Sequence, residues 1–216
     1  MEEVKDSHFG FMPASFDFKA AKAAGGHFDR PFFELFGWGF IEKEKGKSNF
    51  SKTDEYIKSA QSHGFHILAN IQPFAAWDQQ ASSKKLPRIK MMDMLGLQTK
   101  GKPSDMDAYK KFVKKLVERY DGDGKDDMPG LRYPIKYWEV ANEPEMQEEP
   151  LVFFQGPPGD YFDILKATYQ AIKEADPEAK VVQGGMAGMM DFAVEFWQKV
   201  FDLGGADFFD IANIHP

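Results

Sequence analysis

The residues from 136 to 145 carry the densest chemistry in this 216-residue chain: an apolar run that ends abruptly in Asn142-Glu143-Pro144, with a further acid at Glu145. Read as a strand, the run puts Tyr137, Glu139, Ala141 and Glu143 on one side and Trp138, Val140 and Asn142 on the other, so two acids share a face. A carboxyl at the rim of a semi-apolar cavity, close to another acid, is expected to have its pKa raised by desolvation and like charge. A general acid working near neutral pH requires this. Glu139 is expected to be an interior acid paired with Arg30, because an unpaired buried carboxylate is costly. Trp138, facing the other way, should pack against helices.

Other chemistries are excluded or weaker. There are no cysteines, which removes disulfides, thiolate catalysis and cysteine-based zinc sites. His8, His27, His63 and His66 share no metal-ligand spacing and read as structural or surface residues. Lys136 and Lys180 sit at strand starts, so no Schiff-base lysine stands at a strand end. One acidic cluster, Asp121, Asp123, Asp126 and Asp127 interleaved with glycine, looks like a calcium loop, yet Arg132 stands where the twelfth-position acid of an EF-hand belongs. A solvated Asp/Gly turn on the amino-terminal side of the strands is the plainer reading.

These side chains need elements to position them. Short β-rich runs are expected near 9–12, 27–31, 66–71, 136–141, 180–183 and 209–214, alternating with segments of helical period, the pattern of a parallel α/β sheet with crossover helices. Ser51 with Asp54, and Ser104 with Asp107, resemble capping boxes. After Ser104, the residues Phe112, Val113, Leu116, Val117 and Tyr120 trace one helix face. A second helix runs from about Tyr161 to Ala175 and stops before Pro177. A third, with Phe192, Phe196, Trp197, Val200 and Phe201, ends at Gly204-Gly205. The connections 32–50 and 72–103 both follow a strand and are too long to be simple joints, which argues for a role in binding or catalysis.

Composition narrows the partners. A formal charge of -7 and aromatics at 15%, with 21 Phe, argue against nucleic acid or an anionic membrane surface and suit a neutral substrate. No apolar run approaches a membrane span of about 20 residues. The opening residues lack the pattern of a signal peptide, and a chain whose leader had been removed would look the same, so both an extracellular and a cytoplasmic setting are compatible.

The chain resembles the clan-A, or 4/7, retaining glycoside hydrolases, of cellulase and β-xylosidase type. Asn142-Glu143-Pro144 falls on the fourth expected strand, where that group carries its acid/base. Arg30 stands in the second strand. The stretch from Trp38 through Glu42, Gly46 and Phe50 to Asp54 looks like the passage leading into the group's second helix, and 209–216, with His215, looks like its sixth strand. The resemblance spans the whole chain. It implies a (β/α)₈ TIM barrel of which a single domain, 1–216, supplies roughly the first six βα units, and an enzyme that cleaves O-glycosidic bonds of an oligo- or polysaccharide or other glycoside with retention.

In those terms Glu143 protonates the leaving oxygen and later activates water, and Asn142 holds the sugar 2-hydroxyl. Arg30 orients a carboxylate, and His215, Trp38 and Trp77 line the subsites. No cofactor is implied. The nucleophile Glu is expected on a seventh strand beyond residue 216, so further strands or a second chain must close the barrel, and the isolated chain is expected to be inactive. Two competing readings are a non-catalytic carbohydrate-binding protein on the same scaffold and an unrelated barrel enzyme using a metal or a lysine.

Overall fold

A computed structural model describes residues 8–79 and 100–215. Along the chain, strands β1 (Gly10–Phe11), β2 (Phe28–Asp29), β3 (His66–Ile71), β4 (Tyr137–Val140), β5 (Lys180–Val182) and β6 (Ile214–His215) alternate with helices α1 (Phe18–Ala23), α2 (Ser51–Ser62), α3 (Met106–Glu118), α4 (Pro158–Ala175) and α5 (Asp191–Asp202). The first five strands form one parallel sheet in the order β1-β2-β3-β4-β5. The chain just before β6 continues it, since Ile211 bridges Val182 in parallel, and β6 itself pairs with the short strand Met186–Ala187. Sequential parallel strands linked by helices make the arc of a (β/α)₈ barrel.

Each strand divides its side chains as a barrel wall must. Ile67, Ala69 and Ile71 of β3, Trp138 and Val140 of β4, and Val181 of β5 are buried among the hydrophobic side chains of the core. Leu68, Tyr137 and Val182 line a cavity of about 520 Å³ on the inner side, together with Phe28, Arg30 and Asn213. The expected face of α3 is buried as the spacing requires, and α4 ends before Pro177. In α5, Phe196, Trp197 and Val200 are buried, but Phe192 and Phe201 are exposed. Apolar side chains also lie open at both margins of the arc, Met12 and Phe16 by β1, and Ile211 and Ile214 by β6. Among the described residues, no helix is long and apolar enough to cross a membrane.

Neither expected capping box forms. Helix α2 begins at Ser51, whose N–H is taken by Asn49, and Asp54 is instead bound by Arg119 and by the Tyr120 hydroxyl. Helix α3 is capped by Asp105, which accepts from Ala108 N–H at 2.9 Å; Ser104 one residue earlier is held by Asp78. The two long connections contain structure of their own. Residues 32–50 fold into a turn of 3₁₀ helix (Phe33–Phe36), a short helix (Trp38–Ile41) and a hairpin (Glu42–Glu44 with Lys47–Ser48). In the second, Ala76–Gln79 is helical, and 80–99 lies outside the described residues.

Candidate active site

Glu139, on β4, is wholly buried, and its carboxylate accepts from several sides. Arg30 donates through Nε at 2.6 Å and Nη2 at 3.0 Å, Asn70 of β3 through Nδ2 at 2.8 Å, and Asn213, next to β6, through Nδ2 at 2.9 Å. Four donors fill the roughly four lone-pair positions of a carboxylate. The group is a hub that ties β2, β3, β4 and the β6 segment together, which is how a buried charge becomes tolerable. Arg30 also covers the face of Phe33 at 5.2 Å.

Beyond Val140 the strand period breaks. Ala141 adopts φ 62° and Glu143 φ 41°, left-handed conformations that a non-glycine residue holds only when its surroundings impose them. Here Ala141 N–H is fixed to Ile71 O, its carbonyl accepts from Asn70, and Glu143 N–H is fixed to Gly184 O. Simple alternation put Asn142 on the Trp138 side. The kink turns it inward instead, where its Oδ1 accepts from Arg30 Nη2 at 2.8 Å.

Glu143 follows at the exit of β4 with its side chain 18% exposed. Its Oε1 lies 2.5 Å from His215 Nδ1, and His215 Nε2 lies 3.2 Å from Asn213 Nδ2. Because an Asn amide nitrogen can only donate, Nε2 accepts, and the ring proton sits on Nδ1, pointing at Glu143. Gly185 lies flush against the imidazole: a Cβ there would come within 2.4 Å of Nε2. Arg30, Asn142, Glu143 and His215 thus converge at the carboxyl ends of their strands, where barrel enzymes carry out their chemistry.

The two tryptophans do not join them. Trp38 is fully buried on its short helix, wedged against Tyr109 and Phe112 of α3 with Trp77 edge-on at 4.8 Å. No face remains for a sugar, so the expected platform is a core residue. Trp77 is spent on the same packing, its Nε1–H bonded to Glu42 O at 2.9 Å. Of the four calcium candidates, Asp121, Asp123 and Asp127 bring carboxylate oxygens within 4.8 Å of one another, and Asp126 does not join them. The same carboxylates accept backbone N–H groups of Gly122, Asp123, Gly124 and Lys125, as those of an Asp/Gly turn do.

Sequence reasoning missed Asn70, Asn213 and Gln72, which donates to Asn70 Oδ1. A polar residue inside the otherwise apolar run of β3 was the available signal for Asn70. It also left Glu145 without a structural role. This residue is 5% exposed, one oxygen accepts Ala187 N–H at 2.5 Å, and burial pushes its carboxyl above the usual range.

No protein-family model matches the sequence. Solved structures do share its fold. A family 39 glycoside hydrolase from the gut symbiont Bacteroides cellulosilyticus superposes with a TM-score of 0.59 at 20% identity, over 95% of this chain and 36% of that one. A glucosidase from Croceicoccus marinus gives 0.60 at 18%, over 87% and 37%. Xylanase 10B from Thermotoga maritima gives 0.56 at 14%, over 95% and 58%. The chain shares the barrel fold of these glycoside hydrolases. It spans 36% to 58% of the length of these three proteins.

Proposed function

We propose that this clan-A barrel arc carries the acid/base half of a retaining glycoside hydrolase, with Glu143 as the acid/base. One observation supports the reading above the rest: Glu143 stands at the exit of the fourth barrel strand with one oxygen held by His215 and the side chain part-exposed, while the neighbouring acid Glu139 is buried and fully occupied. In this role Glu143 gives its proton to the glycosidic oxygen as the bond breaks, then takes one from the incoming water. The Nδ1–H of His215 orients the carboxyl. Asn142, held by Arg30, keeps its amide Nδ2–H₂ for the sugar 2-hydroxyl, a bond that strengthens as oxocarbenium character develops.

The nucleophile in this reading is a second Glu, about 5 to 5.5 Å from Glu143, contributed by strands that complete the barrel. The apolar margins at Met12, Phe16, Ile211 and Ile214 suit such strands. The substrate is a glycoside, oligosaccharide or polysaccharide.

The test uses the closed barrel, meaning this chain with the strands that complete it, and aryl β-glycosides. Glu143→Gln should lower turnover by about 10²- to 10⁴-fold. With Glu143→Ala and an activated leaving group, added azide should restore turnover and yield a glycosyl azide of retained configuration. An inverted product disproves retention. The 216-residue chain alone should show little or no turnover; robust turnover abolished by Glu143→Gln would place the nucleophile within it, with Glu34 or Glu145 the next candidates.

A further inference from the structure

Glu145 is an acid the proposed chemistry does not use, yet it is more deeply buried than Glu143, two residues before it. Its Oε1 accepts the N–H of Ala187 at 2.5 Å, and the buried indole of Trp197 is a further group that favours its charged form. A buried carboxyl that receives few donors is costly, and the bond to Ala187 is the one that ties it to another strand.

The partner explains why. Ala187 belongs to a two-residue strand in parallel register with β6, Met186 beside Ile214 and Ala187 beside His215. Gly188 N–H donates to His215 O at 2.7 Å, and Met186 N–H to Asn213 O at 3.0 Å. A pair this short has little stability of its own. It is fastened to the β4 exit at two points, by Glu143 N–H on Gly184 O and by Glu145 Oε1 on Ala187 N–H. Between those points Gly185 receives the His215 ring. The path from Glu145 to Glu143 therefore runs through Ala187, the backbone of His215 and its imidazole, and closes on the Glu143 carboxyl.

We propose that Glu145 is a positioning residue: by clamping the Ala187 strand to the β4 exit it holds His215 against Glu143. The catalytic meaning of the clamp rests on the reading of Glu143 as acid/base, but the clamp itself does not. Reach matters more than charge. Burial and the nearby charge of Glu143 both favour the protonated carboxyl, which keeps Oε1 as an acceptor and is isosteric with glutamine. Glu195 and Lys199 of α5, and Glu148 and Glu149 of the hairpin that pairs Gln147–Glu148 with Leu151–Val152, line the same cavity of about 620 Å³ as Glu145, and His215 approaches from β6.

The test is nuclear magnetic resonance on the full 216-residue chain without sugar, following the Ala187 amide and the His215 ring, with Glu143→Gln as the reference for a broken His215–Glu143 contact. Glu145→Gln keeps the reach and loses the charge; Glu145→Asp keeps the charge and falls a methylene short. Glu145→Gln should retain the wild-type ring chemical shifts of His215 and the protection of Ala187. Glu145→Asp should speed Ala187 exchange about tenfold, one hydrogen bond's worth, and move the His215 ring shifts to those seen in Glu143→Gln. The opposite pattern, or no change in Glu145→Asp, overturns the clamp. So does an Ala187 amide in the unsubstituted chain that exchanges as fast as an exposed loop amide, a measurement that needs no variant. Sugar is absent throughout, so a failed hydrolysis assay leaves this result untouched, and the reverse also holds.

Discussion

Two acids four residues apart on the same segment, Glu139 and Glu143, have opposite surroundings. Glu139 is sealed within the barrel and saturated by Arg30, Asn70 and Asn213, so it has no lone pair to offer a substrate. Glu143 sits at the mouth, bonded through one oxygen to one imidazole. The first organises; the second is the one to which the proposed function gives the reaction. Shared strand face does not decide which acid does which; the number of donors converging on each does.

Breaking the hub should have the largest effect. Glu139→Ala leaves the buried Arg30 guanidinium without its counter-ion and should cost about 3 to 5 kcal/mol in urea unfolding. Asn213→Ala removes one donor to Glu139 and one to His215 and should cost about 1 to 3 kcal/mol. Glu143→Gln, at the half-open end of the same network, should change stability by less than about 1 kcal/mol. If Glu143→Gln destabilises as much as Glu139→Ala, the division between an organising and a reacting acid fails.

The strands were readable in the sequence because a barrel wall by rule alternates its side chains between two faces, and the expected bounds of the third, His66–Ile71, are the observed ones. The Arg30–Glu139 pair followed from the cost of burying an acid alone. The site was harder where that rule lapses. Period-two alternation cannot foresee the left-handed turn at Ala141 that swings Asn142 inward, since it depends on a hydrogen bond given to Ile71 O and one received from Asn70, both distant in sequence. Trp38 misled for another reason: a long connection after a strand can fold back over the outer layer, and only the presence of Tyr109 and Phe112 beside it distinguishes packing from a binding platform. The α3 cap missed by a single residue: Asp105 accepts from Ala108 N–H, while Ser104 is held by Asp78 from the preceding connection.

The smallest expected effect compares the histidine at the mouth with one at the opposite end of the sheet. His66 begins β3, stacked on His27 at 4.8 Å and against Tyr133 at 4.8 Å, with no carboxylate among its ring contacts. Burial, then the charges of His27 and Lys22, lower its pKa from 6.5. A histidine with a depressed folded-state pKa is neutral in the native protein, so its contribution is present above 6.5 and is lost as pH falls from 6.5 through the lower folded value, where the unfolded chain binds the extra proton. His66→Phe keeps the ring stack and removes the titration. Urea unfolding of the two proteins between pH 7.5 and about 5 should show the wild type losing stability relative to His66→Phe within that window and running parallel to it on either side. A constant difference across the window would mean that His66 ionises as freely in the fold as in the unfolded chain, and that the base of the barrel is as open to solvent as its mouth.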